Sequence, residues 1–148
     1  MKLLVIASAG GHWVQLQRLL PAFEQYDISF MSTNGKLRDT IGERPFFLIR
    51  DANRWNKWKL IKSFVEVFYI VTKLRPDAIV TTGAAPGLMG IIAGRFWGCK
   101  TVWVDSIANV EKLSMSGKIA RRFADRVYTQ WPHLAAENLI YYNGNVLA

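Results

Sequence analysis

The sequence predicts one doubly wound α/β domain, a parallel sheet covered by helices on both faces. Three observations carry this expectation. Short β-branched apolar runs alternate with helical patterns along the whole chain, as repeated βα units require. The runs are continuous instead of alternating, which suits strands buried on both faces. The chain has 148 residues, 51% of them in the set AVILMFWYC, enough for one core, with no linker or internal repeat.

The elements follow in order. Lys2–Ala7 (KLLVIA) reads as a buried strand ending in a glycine turn. Trp13, Val14, Leu16, Leu19, Leu20 and Phe23 recur at helical spacing, which predicts a helix over His12–Glu24. Asp27–Ser32 is a second strand and Phe46–Ile49 a third, separated by an Asn34-Gly35 turn and a Gly42–Pro45 loop. Asn56–Leu74 is a long helix that stops before Arg75-Pro76. Asp77–Thr82 is the fourth strand, followed by a small-residue loop from Gly83 to Gly87 and a helix over Leu88–Phe96. Lys100–Asp105 is the fifth strand, Ser116–Ala124 a helix, Arg126–Thr129 a strand, and Leu139–Tyr142 a last short strand.

Composition removes several classes of function. A single cysteine, Cys99, excludes an internal disulfide, and with only His12 and His133 as histidines a structural zinc cluster has no ligands. Apolar and aromatic content excludes disorder. No GxSxG elbow is present, and Ser116-Gly117-Lys118 lacks the rest of a P-loop. No run reaches ~18 uncharged apolar residues, and Met1–Ala9 is too short for a signal peptide. A formal charge of +8 favours anionic partners. No zinc-finger, RNP-like or basic-zipper pattern accompanies it, so nucleic acid is not expected.

Ligands of open α/β sheets bind at the carboxyl ends of the strands. Three loops at that edge carry chemistry. Ser8-Ala9-Gly10-Gly11-His12 follows the first strand and opens a helix, so its glycines let the backbone approach an anion at the helix terminus. The third glycine of a dinucleotide fingerprint is missing, and a plain tight turn is the competing reading. The Thr81–Gly87 loop, with Thr82 and Gly83, offers hydroxyls and backbone N–H groups, or is simply a crossover turn. Asp105-Ser106-Ile107-Ala108-Asn109 places a carboxylate where it orients or deprotonates a sugar hydroxyl, or where it merely caps a turn.

A fourth feature is Arg54–Arg75 (RWNKWKLIKSFVEVFYIVTKLR), with six basic residues against one acid, Glu66. Trp55, Lys57, Trp58, Lys59 and Lys62 form the basic, aromatic rim of an interfacial helix; a core helix with a basic outer face is the alternative.

Ser8–Leu16 (SAGGHWVQL) and Val104–Leu134 (VDSIANVEKLSMSGKIARRFADRVYTQWPHL) resemble the PssD/CpsF-type polysaccharide-biosynthesis proteins. These are bacterial relatives of the membrane-anchoring subunit of the eukaryotic bipartite UDP-N-acetylglucosamine transferase. The Gly-Gly-His loop, with Asp105 and Asn109, is more distantly similar to the acceptor half of MurG. The resemblance implies a Rossmann-like domain equivalent to the amino-terminal, acceptor half of a GT-B glycosyltransferase divided between two chains. A companion would supply the UDP-sugar domain, for which 148 residues leave no room. The implied reaction is an inverting transfer to a lipid-diphosphate-linked sugar, in exopolysaccharide or capsule synthesis, without metal or other cofactor. Either His12 or Asp105 would act as base, with the other orienting the acceptor. Ser8, Gly10, Gly11, Thr82, Gly83, Ser106 and Asn109 would bind the acceptor. The implied location is the cytoplasmic face of the plasma membrane, held peripherally at anionic lipid through the Trp–Lys stretch. A non-catalytic scaffold that recruits a transferase, and a stand-alone nucleotide-binding protein, are the rival readings.

Overall fold

The computed structural model describes residues 1–53 and 55–147. Six parallel strands form one sheet: β1 (Lys2–Ile6), β2 (Asp27–Ser32), β3 (Phe46–Leu48), β4 (Ala78–Thr81), β5 (Lys100–Val104) and β6 (Arg126–Tyr128). Their spatial order is β3-β2-β1-β4-β5-β6. The chain leaves β1 toward β2 and leaves β4 toward β5, so the direction of winding reverses between β1 and β4. That reversal opens a crevice at their carboxyl ends.

Successive strand residues serve opposite faces, which is why both must be apolar. Leu3 and Val5 of β1 join Phe30, Trp13 and Leu16 on one face, beneath helix α1 (Gly11–Leu19). Leu4 and Ile6 join Val67, Val71 and Met89 on the other, beneath α2 (Lys57–Leu74) and α3 (Ala84–Phe96). A third cluster packs α4 (Met115–Ala120) through Ala120 against Trp103, Val127 and Ile91.

Several element boundaries differ from the sequence expectation, each for a local reason. The first helix tightens at Leu20 into a 3₁₀ segment over Leu20–Phe23, because Pro21 brings no N–H to an α-helical bond. The turn at Asn34-Gly35 continues as a 3₁₀ segment over Gly35–Thr40, capped by the Asn34 side chain on the Lys36 amide. The third helix begins at Ala84, taking in most of the expected glycine loop. A Cβ on Gly87 would sit 2.0 Å from Thr81 Oγ1, and one on Gly90 2.1 Å from Ile6 Cδ1, so these glycines let α3 lie close on β1 and β4. Helix α4 starts at Met115, capped by Ser114 on the Gly117 amide, and ends at Ala120. Leu139–Tyr142 forms no ladder strand; Ile140 and Tyr141 make only isolated bridges, to Ala136 and Tyr128.

Candidate active site

The crevice between β1 and β4 is bridged by His12. Gly10 precedes α1 with φ 82 and ψ −137, a conformation that an L side chain rarely adopts, and no side chain caps the helix. The first N–H groups of α1 therefore remain free of side-chain caps. His12, one residue into α1, places Nδ1 2.8 Å from the Thr82 carbonyl oxygen, and the Thr82 hydroxyl donates to the His12 carbonyl at 2.7 Å. Thr82 and Gly83 are buried, so neither side of this loop presents the ligand-contacting hydroxyl or glycine expected of it. Thr82 faces His12, and Gly83 lies directly under the imidazole.

Asp105 is also placed differently from its expected role. It is 2% exposed, and both carboxylate oxygens accept two hydrogen bonds from within the protein. Trp103 Nε1 (2.9 Å) and the Ser114 hydroxyl (2.6 Å) donate to Oδ1. The Ser114 amide (2.9 Å) and Asn109 Nδ2 (3.1 Å) donate to Oδ2. A carboxylate so occupied holds the loop and does not meet an incoming hydroxyl. Through Ser114 it also sets the start of α4, and only a glycine fits at 117, where a Cβ would stand 2.6 Å from Asp105 Oδ1. Two buried glutamines fix the same loop from outside. Gln15 donates to the Asp105 carbonyl at 3.1 Å and accepts from the Ile107 amide, while Gln130 donates to the same carbonyl at 3.1 Å. Trp131 Nε1 adds a bond to the Ile107 carbonyl at 2.8 Å.

His12 and the 105–116 segment enclose a cleft of ≈ 290 Å³. His12, Ser106 and Asn109, all expected from the sequence, line it, together with Ala84, Ala108, Ser114, Met115 and Ser116, which were not. The lining is rich in hydroxyl and amide groups, and His12 is its only titratable side chain among the described residues. Ser8, Gly10 and Gly11 lie outside it, partly or fully exposed, with open space where a Cβ would stand on either glycine. A larger cavity of ≈ 720 Å³ lies over the β4–β6 strands on the α1 side, between Phe23 and Val146, with Gln130 in its lining. Among the described residues, no group of three or more His, Cys, Asp and Glu is gathered as a metal would need.

Helix α2 has two apolar sides. Ser63, Val67 and Val71 face the core, whereas Trp58, Ile61, Val65 and Tyr69 form an outward stripe, each more than half exposed. Trp55 and Trp58 are 82% and 75% exposed, and Lys57, Lys59 and Lys62 beside them are exposed as well. Phe96, at the end of α3, extends the apolar surface by packing edge-on against Phe68 at 5.3 Å. Arg54 lies outside the described residues. No helix among them is long and apolar enough to cross a membrane.

Known proteins share this architecture. The family described as "Oligosaccharide biosynthesis protein Alg14 like" matches residues 49–145. The UDP-N-acetylglucosamine transferase subunit alg14 of Schizosaccharomyces pombe is 40% identical over 167 residues, covering 91% of this chain and 78% of that protein. The Homo sapiens subunit of the same name is 28% identical over 177 residues, covering 90% and 77%. Acinetobacter baumannii MurG superposes on 97% of this chain with a TM-score of 0.80 at 17% identity. The UDP-GlcNAc 2-epimerase of Methanocaldococcus jannaschii covers 98% with a TM-score of 0.75, also at 17% identity. The chain spans 46% of each of these two structures, so its Rossmann-like domain corresponds to one half of a GT-B-type architecture. The likeness to the eukaryotic transferase subunits therefore extends over most of the chain, and the protein belongs to the Alg14-like oligosaccharide-biosynthesis family.

Proposed function

We propose that this chain is the acceptor-binding and membrane-docking subunit of a two-chain, inverting glycosyltransferase. The observation that carries the reading is a cleft, lined by His12, Ser106 and Asn109, at the switch point of a Rossmann-like domain. Relatives that match most of the chain are named transferase subunits, and two-domain structures of this fold are more than twice its length. A companion chain would bring the UDP-sugar across the cleft, and holding both substrates there would supply much of the acceleration.

In this reading an acceptor hydroxyl gives its proton to His12 as its oxygen attacks the anomeric carbon. A carbon–oxygen bond forms, the bond to the UDP diphosphate breaks, and the configuration inverts. Ser106 and Asn109 meet the acceptor sugar, and the uncapped start of α1 behind Gly10 and Gly11 receives its diphosphate. Asp105 acts by holding Asn109 and Ser114 in place. The acceptor is a lipid-diphosphate-linked sugar, and the PssD/CpsF-type resemblance favours exopolysaccharide or capsule as the product. The outward stripe of α2, with Trp55, Lys57, Trp58, Lys59 and Lys62, docks on anionic lipid at the cytoplasmic face of the plasma membrane.

The test is kcat of the reconstituted pair with His12→Ala. A fall of about 10²–10⁴-fold, with association of the two chains unchanged, is the expected result. Wild-type kcat in that variant would remove His12 from the chemistry and favour the scaffold reading.

A further inference from the structure

We propose that Thr82 and Gly83 are positioning residues that lock the His12 ring in one orientation and one tautomer, with Nδ1 protonated and Nε2 left with its lone pair. The inference rests on the reading of His12 as the base and deepens it.

A backbone carbonyl only accepts hydrogen bonds. Nδ1 of His12 stands 2.8 Å from the Thr82 carbonyl oxygen, so in the neutral ring Nδ1 is the nitrogen that carries the proton. Nε2 then holds the lone pair, and no group among the described residues donates to it. That is the state a general base requires before it takes a proton. The carbonyl is itself held, because the Thr82 hydroxyl is fully buried and donates to the His12 backbone carbonyl at 2.7 Å. One residue thus binds both the ring and the backbone of His12.

Gly83 supplies the second constraint. Its φ of +130 belongs to glycine, and a Cβ there would stand 2.7 Å from His12 Cε1 and 2.8 Å from Nδ1. The imidazole rests on bare backbone and has no room for a larger neighbour. A tie between two loops needs only one of these bonds, whereas a base also needs Nε2 left free, and both conditions are met around His12.

Histidine-labelled full-length protein examined by nitrogen-edited NMR tests this directly, with His133→Gln separating the two histidines. Neutral His12 is expected as a single species protonated at Nδ1. Gly83→Ala should replace that species by a mixture, Thr82→Val should do so partly, and Thr82→Ser should restore it. Wild-type His12 protonated at Nε2, or wild-type signals in folded Gly83→Ala, would overturn the proposal without reference to activity. In the reconstituted pair, Gly83→Ala should lower kcat by about 10²-fold with little change in acceptor KM. A raised KM at unchanged kcat would instead give Gly83 to acceptor binding and overturn the positioning role. If the tautomer is as stated but His12→Ala keeps full kcat, the positioning stands and the base assignment falls.

Discussion

Asp105→Asn separates a carboxylate that organises the site from one that performs chemistry. The substitution keeps the shape of the side chain and turns one acceptor oxygen into a donor. Placed at Oδ1, the new amide faces the fixed N–H of Trp103; placed at Oδ2, it faces the fixed amide of Ser114. Rotation of the Ser114 hydroxyl or a flip of Asn109 relieves the other contact, so one buried donor is left unpaired in either orientation. That costs about 1–3 kcal/mol. The three remaining bonds lose their charge assistance, about 1 kcal/mol each, and relief of the buried charge offsets part of the sum. The net expectation is a loss of about 2–4 kcal/mol. For a domain of this size that corresponds to roughly 5–15 °C in Tm. Thermal and urea unfolding followed by circular dichroism at pH 7 measure it, with equal m-values confirming a common unfolding reaction. A change below about 0.5 kcal/mol would refute the argument and return Asp105 to candidacy for the chemistry.

Other consequences follow from particular contacts. Gly87→Ala forces a Cβ into Thr81 Oγ1 and should destabilise by about 1–3 kcal/mol in urea unfolding, despite alanine's better helix propensity. Burial raises the Cys99 thiol, and Asp77 adds to the rise, so the neutral thiol is favoured in the folded state. Its contribution to stability is therefore full below the ordinary thiol value of 9.0 and is lost as pH rises through the raised folded value. Alkylation of Cys99 by iodoacetamide near pH 7.5 should proceed only after denaturation. Lys57, Lys59 and Lys62 changed together to Glu should weaken sedimentation with phosphatidylglycerol vesicles by roughly 10²-fold at low salt. Val65→Glu with Tyr69→Glu should weaken it at high salt too; unchanged binding in both folded variants would remove α2 from the membrane.

The sheet was legible because its strands are buried on both faces, and KLLVI, DISFMS and KTVWV can be read as strands without their partners. Elements whose cause is a distant contact were not. The Gly83–Gly87 stretch has the composition of a loop, yet most of it is helix, since its glycines answer to Thr81 and Ile6 and not to a turn. Leu139–Tyr142 has strand composition, but the edge beside β6 offers it only isolated bridges. In α2, the adjacent Phe64 and Val65 are both apolar, and the structure puts Phe64 against the core and Val65 in the outer stripe.

The site divides in the same way. Gly-Gly-His at a strand end puts His12 in the first turn of α1 at the carboxyl edge of the sheet, a placement that follows from the local turn. The inward turn of Asp105 depends on Trp103, two positions back on the same side of β5, and on Ser114, nine positions ahead. The two-residue spacing was a usable signal: an aspartate in phase with a buried tryptophan points into the core. Gln15, on the apolar side of α1, was a second such signal, and it marks the loop that it holds.

The central claim is that this chain is half of a transferase, and sugar transfer by the separate and combined chains tests it most directly. Labelled UDP-N-acetylglucosamine and a lipid-diphosphate-linked sugar in vesicles are supplied to this protein, to a companion bearing the nucleotide-sugar half, and to the two together. The account predicts product only when both chains are present, with loss of product when His12→Ala replaces the wild type. Sustained turnover by this chain alone would contradict it.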